Sequence, residues 1–210
     1  MGKVLEARKR IGGLSTTSKM PSKSWGISAT LCTVGAKLRN VVGSTCRDCY
    51  ALKGAYLWGA TKRAHARRLE AWKKNPNWIE DFTISLGKME YFRWFDSGDL
   101  QSLSMLEAIA HVARNTPNTK HWLPTREYKV VRNFLRKNGS FPNNLTVRVS
   151  APMVNGSPSA EFANTSTTHS TETPSHGVEC PAYTPSHGGK CGDCRNCWNA
   201  EVTTVSYRLH

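Results

Sequence analysis

Hydrophobic and polar positions along this chain switch between two rhythms. Between residues 90 and 152 three short runs are rich in aromatic and β-branched side chains: "EYFRWF", "KHWLP" and "NLTVRVSAP". Each reads as a strand. Between them the apolar spacing changes to three and four. Leu106, Ile109, Ala110 and Ala113 put one stripe on a helix over "MLEAIAHVARN", with Ser104 and Glu107 at capping-box spacing. "REYKVVRNFLRKN" predicts a second helix, capped by Thr125 and stopped by Gly139. Strands alternating with helices in units of this length imply β–α–β crossovers, a parallel sheet and an α/β fold.

The flanks are less regular. "SWGISATLC" predicts a first strand running into Cys32, and after "STCRDCYALKG" the next 20 or so residues read as a helix with Trp58, His65, Leu69 and Trp72 on one face. Pro76 stops it, and Asn77 with Glu80 caps another over "WIEDFTISLGK". Residues 1–23, basic and rich in Ser, Thr and Gly, are expected to form an arm; 24–155 form the α/β core. Residues 156–176, polar and full of Ser and Thr, predict a long loop or lid within a C-terminal segment, 156–210, that closes on the strand "VTTVSYRL" and packs on the core.

Charge adds an expectation about partners. With 29 Lys and Arg against 15 Asp and Glu, the formal charge is +14, enough to attract polyanions; nucleic acid or another protein is a candidate partner. The basic positions of the first long helix read as a solvated face, with polyanion contact as the alternative. No segment approaches a membrane span, and the N-terminal residues lack the apolar run of a secretory leader, so a cytoplasmic protein is expected.

Seven cysteines change the picture most. An odd count in a reducing compartment sets a disulfide scaffold aside and points to metal. Cys32 is followed after thirteen residues by Cys46 and Cys49; Cys180 is followed after ten by Cys191, Cys194 and Cys197. Three thiolates leave one position of a 4Fe-4S cluster open to a ligand, whereas four make a closed site, suited to a second cluster or to structural zinc. The tight C-x-x-C-x-x-C triplet favours iron–sulfur; zinc at the C-terminal cysteines is the alternative, and a single shared centre stays open.

Loops after the C-terminal ends of parallel strands share one sheet edge. That rule groups the first three cysteines with Asp96, Ser97, Gly98 and Asp99, with Thr125 to Glu127, and with Ser150 to Pro152. Asp96 and Asp99 are candidates to accept hydrogen bonds from a cationic amine, with Gly98 letting a ligand approach; the alternative is an ordinary tight turn. Arg126 opposes the dipole of the helix it opens, and Arg148 lies inside an apolar strand. Each calls for an anionic partner, a ligand or a structural ion pair. Glu127 and Ser150 complete the set.

"GSTCRDCYALKG", "FRWFDSGDLQS", "WLPTRE", "VRVSAP" and "CGDCRNCW" together resemble the phage-encoded gene product 88 family over about residues 20–210. The same features are more distantly similar to radical S-adenosylmethionine enzymes, which implies a reduced, partial (β/α) barrel with a C-terminal cysteine-rich segment. It also implies a cluster on Cys32, Cys46 and Cys49, "DSGD" receiving the methionine amino group, and Arg126, Glu127 and Ser150 near the carboxylate or ribose. That superfamily presents its three cysteines in one tight loop, which here is opened by thirteen residues. The implied function is that of an iron–sulfur protein in the host-cell cytoplasm, with S-adenosylmethionine as small-molecule cofactor and radical chemistry as the activity. The alternative is a metal-stabilised module that binds nucleic acid or a host protein without catalysis.

Overall fold

The computed structural model describes residues 2–209. Its frame is one eight-stranded sheet: β1 Ser15–Thr16, β2 Lys23–Trp25, β3 Tyr91–Trp94, β4 Lys120–Thr125, β5 Leu145–Val154, β6 Thr165–His169, β7 Val178–Glu179 and β8 Thr204–Arg208, in the order β1-β2-β3-β4-β5-β6-β8-β7. Every neighbouring pair is parallel except β1 with β2. From β2 to β6 each strand lies beside the next in sequence, so the chain steps across the sheet in one direction.

Six helices accompany it: α1 Gly2–Arg10, α2 Thr33–Leu38, α3 Gly59–Lys74, α4 Trp78–Leu86, α5 Leu103–Asn115 and α6 Tyr128–Asn138. The apolar faces of α4, α5 and α6 form one cluster with Phe92, Trp94, Leu123, Val147 and Val149 of the sheet. The alternate residues point the other way. Trp122 and Val205 pack there with Met20, Cys180, Ala182, Cys197 and Trp198 in a second, smaller cluster. Residues 145–151 of β5 are therefore buried without a break, as expected for a parallel strand covered on both faces.

Several expectations are corrected at the flanks. The N-terminal arm contains α1, which buries Ala7 and is tied to α4 by Arg10, whose guanidinium grips the Asp81 carboxylate at 2.6–2.9 Å. The Ser- and Gly-rich stretch that read as loop begins only after this helix. The first strand ends at Trp25, well before Cys32, and a 3-10 turn over Ala29–Leu31 intervenes. Two further 3-10 turns occupy 50–57, so α3 starts at Gly59; Trp58 is left exposed, and buried Arg68 joins His65 on the inner face instead. Asn77 makes no side-chain cap, and α5 is capped by Ser102, whose Oγ accepts from Met105 N at 3.1 Å, rather than by Ser104.

The expected lid over 156–176 is the largest correction, because it contains β6. Ser and Thr lower hydropathy without lowering strand propensity, and here their hydroxyls pair across the sheet. Thr165 Oγ1 lies 2.8 Å from Thr204 Oγ1, Thr167 Oγ1 donates to Ser206 Oγ at 2.9 Å, and Ser166 Oγ to Ser150 Oγ at 2.9 Å.

Candidate metal centre

The loops at the C-terminal ends of β2, β3, β4 and β5 do meet. Ile27 N donates to Ser97 O at 3.1 Å, Tyr50 OH to Asp96 O at 2.9 Å, Val34 N to Glu127 Oε1 at 3.0 Å, and Thr45 N to Pro152 O at 3.0 Å. All four bonds start from the segment that follows β2: two reach the loop after β3, one the loop after β4 and one the end of β5. The segment carrying Cys32, Cys46 and Cys49 is thereby laid across the sheet edge.

Two of these thiols share a floor. A Cβ placed on Gly35 in α2 would lie 3.0 Å from Cys32 Cβ, 3.7 Å from Cys46 Sγ and 3.8 Å from Cys32 Sγ. Gly35 has no left-handed backbone to accommodate, so what its bareness provides is room between two sulfurs. Burial pushes Cys32 up to about 12, with Asp99, Cys49 and Cys46 acting the same way. Burial also raises Cys46, against the opposing charge of Arg126. Thiols held this high stay protonated until a metal displaces the proton.

Around them the polar residues divide into two kinds. Asp99 is engaged within the fold: its carboxylate accepts from Thr125 Oγ1 at 2.6 Å, Arg126 N at 2.9 Å and Leu100 N at 2.8 Å. Burial outweighs these bonds and pushes its carboxyl up to about 6. Gly98 does not admit a ligand; at φ +79° its bare side is already filled by Ile27, 2.7 Å from where a Cβ would stand. Glu127 is spent on α2, and Ser150 Oγ on Ser166. By contrast, Asp96 Oδ1, Ser97 Oγ and Arg126 Nε are buried without a hydrogen-bond partner. They are the atoms at this edge with capacity left for a ligand.

Arg148 belongs elsewhere. It is fully buried in β5, and its five N–H groups are taken by five carbonyls, those of Cys197, Thr165, Thr203, Asn196 and Asn199, at 2.7–3.3 Å. Neither a ligand nor an acidic partner is needed to explain it; it clamps the C-terminal segment onto the sheet. That segment carries the second thiol group. Cys180 and Cys197 lie within the smaller cluster, with Cys191 packed against it. Cys194 N donates to Cys191 O at 3.1 Å, and Cys197 Sγ lies 3.2 Å from Tyr207 OH. Burial pushes Cys197 up to about 12 and raises Cys180 and Cys191 too.

All seven cysteines are free thiols. Among the described residues no three His, Cys, Asp or Glu side chains gather tightly enough to hold a single metal ion.

The gene product 88 family model matches residues 7–200. The chain belongs to the gene product 88 family. No curated protein and no solved structure shows a match. In this gene product 88 chain the matched region contains both thiol groups and the whole edge between them.

Sequence reasoning missed several residues of the site. Tyr50 and Tyr56 both donate to Asp96 O, at 2.9 and 3.3 Å, and Tyr56 stacks on His65. Arg93 stands on the non-helical face of β3 with Cζ 4.5 Å above the Trp122 ring, and Nη2 donates to Tyr50 OH at 3.3 Å. The strand's alternation offered a signal for Arg93: it is the cation at a half-buried position in "YFRW". Lys19, whose carbonyl accepts from Cys191 N at 2.9 Å, lies in the segment read as an arm and had no such signal.

Proposed function

We propose that this chain is an iron–sulfur protein in which Cys32, Cys46 and Cys49 hold a 4Fe-4S cluster with one iron open, beside a site for S-adenosylmethionine. The observation that carries this reading is the meeting, at one sheet edge, of three thiols with the unpartnered Asp96 Oδ1, Ser97 Oγ and Arg126 Nε. The one-directional strand order, with α4, α5 and α6 packed on one face, supports a partial (β/α) barrel of the radical-enzyme type.

When bound, the cluster would supply one-electron chemistry to the cofactor. The chain's own part is to bind and orient. Asp96 Oδ1 and Ser97 Oγ would accept from an amino group, and Arg126 would meet a carboxylate, matching the two ends of an amino-acid moiety. Gly35 leaves room between Cys32 and Cys46 that a side chain there would fill. The four C-terminal thiols would hold a second cluster, with zinc as the alternative.

The test is iron, zinc and acid-labile sulfide per chain on protein purified without oxygen, followed by spectra with and without S-adenosylmethionine. About four to eight irons with matching sulfide, and a spectrum that responds to the cofactor in the wild type but not in Asp96→Asn, are the expected results. Zinc without sulfide would overturn the reading. One observation favours a second reading, a binding module: Lys62, Arg63, Arg67, Lys73 and Lys74 are all exposed on α3. It predicts salt-sensitive association with nucleic acid that survives Asp96→Asn.

A further inference from the structure

The side of the sheet away from the helices collects positive charge around the C-terminal thiols. Lys19 enters there beside Met20: its carbonyl accepts from Cys191 N at 2.9 Å, and its ammonium lies 3.8 Å over the Tyr183 ring and donates to the Tyr183 hydroxyl. Its charge acts on Cys180, Cys191 and Cys197. Arg93 comes in from β3, donating to Met20 Sδ at 3.4 Å with its Nε buried and unpartnered, and its charge reaches Cys191 and Cys197. Arg148 acts on Cys197 as well. Among the described residues none of these three cations pairs with a carboxylate.

Arg148 is satisfied by carbonyls and Asp96 acts on Arg93, but the Lys19 ammonium, set against an apolar cluster with no carboxylate paired to it, calls for negative charge at the thiols, and Arg93 adds to the positive field there. We propose that Cys180, Cys191, Cys194 and Cys197 form an anionic thiolate centre whose built-in counter-cations are Lys19 and Arg93, and that these two residues set its reduction potential. The proposal rests on the iron–sulfur reading above. Four thiolates around a dipositive ion or cluster core leave a net charge of about −2. In a poorly solvated setting that charge is stabilised by neighbouring cations, most strongly in the reduced, more negative state. Both cations therefore raise the potential. The Tyr207 hydroxyl, 3.2 Å from Cys197 Sγ, acts in the same direction.

The experiment is a redox titration of the full chain, purified without oxygen, comparing Lys19→Gln with Lys19→Arg. Lys19→Gln is expected to retain its iron and sulfide while the reduction equilibrium of one centre moves about tenfold toward the oxidised form, about 59 mV for one electron. Lys19→Arg, which keeps the charge, holds most of the wild-type value. Should Lys19→Gln fail to fold, Arg93→Gln against Arg93→Lys makes the same comparison from the other cation. Equal potentials in charged and neutral variants, with clusters loaded, overturn the counter-cation proposal and leave the iron–sulfur reading standing. If the chain holds zinc without sulfide, the iron–sulfur reading fails, and zinc retention against a chelator decides the rest. Release about tenfold faster from Lys19→Gln than from Lys19→Arg upholds the counter-cation role, and equal release overturns it. C-terminal thiols that hold no metal overturn the counter-cation proposal, while the cluster on Cys32, Cys46 and Cys49 is judged by its own iron and sulfide content.

Discussion

His121 is held in one tautomer by its two neighbours in the core. Trp94 Nε1 donates to its Nδ1 at 3.2 Å, so the proton sits on Nε2, which faces Thr116 Oγ1 at 2.9 Å, and the threonine hydroxyl in turn donates to Val112 O at 2.7 Å. A second proton would have to enter opposite the indole N–H. Burial pulls this imidazole down to about 3 from the usual 6.5. Above about pH 6.5 the residue is neutral in folded and unfolded chains alike, and its contribution is complete. As pH falls toward 3 the unfolded chain takes up the proton first, and stability declines by up to about 1.4 kcal/mol per pH unit. Denaturant melts between pH 7 and pH 4.5 should show a shallower decline in His121→Gln than in the wild type. Identical slopes would mean that the decline comes from other groups. "KHWLP" was legible as a strand with His121 near its start, but nothing in the sequence said that Trp94, 27 positions earlier, would fix its proton.

At the scale of elements, Arg148 carries the most weight. One strand residue binds five carbonyls of β6 and the C-terminal segment, so its removal leaves several buried acceptors without donors. Arg148→Met should cost about 3 kcal/mol or more, and Arg148→Lys should recover only part, since an ammonium has three donors and no planar fork. Hydrogen exchange is the direct check. Protection should fall first at 196–206 and stay high in α5 and β4; uniform loss across the chain would contradict a clamp. Local pattern identified Arg148 as an anomaly in an apolar run. It could not identify the partners, because four of the five carbonyls come from a segment about 50 residues away whose path is set by tertiary packing. The hidden strand β6 failed for a related reason: Ser and Thr side chains look like loop until a neighbouring strand supplies their hydroxyl partners.

Over the whole molecule the two faces of the sheet are covered differently. One has regular helices; the other has the thiol-bearing segment, whose order within 180–199 consists of 3-10 turns at Pro181–Tyr183, Pro185–His187 and Asn196–Trp198. Such a segment has few repeating backbone bonds, so the proposed metal on its thiols would supply much of its stability. Stripping the metal without oxygen should lower the melting temperature by about 10 °C and make the 180–200 region the first site of proteolysis. An unchanged melting temperature and cleavage pattern would count against metal in this layer. No helix among the described residues is long and apolar enough to cross a membrane.

The sequence by itself determined the alternation of β3, α5, β4, α6 and β5, because apolar periodicity and helix stops are local properties of the chain. It also determined the division of the cysteines into two groups and the meeting of the strand-end loops, since parallel strands place those loops on a common edge whatever they contain. Tertiary structure alone decided which polar residues at that edge are engaged within the fold, as Asp99 and Glu127 are, and which keep an atom unpartnered, as Asp96, Ser97 and Arg126 do. It also placed Lys19, Arg93 and Arg148 around the second thiol group. Hydrogen-bond satisfaction and charge proximity depend on distances between segments far apart in the chain, and local pattern carries no record of those distances.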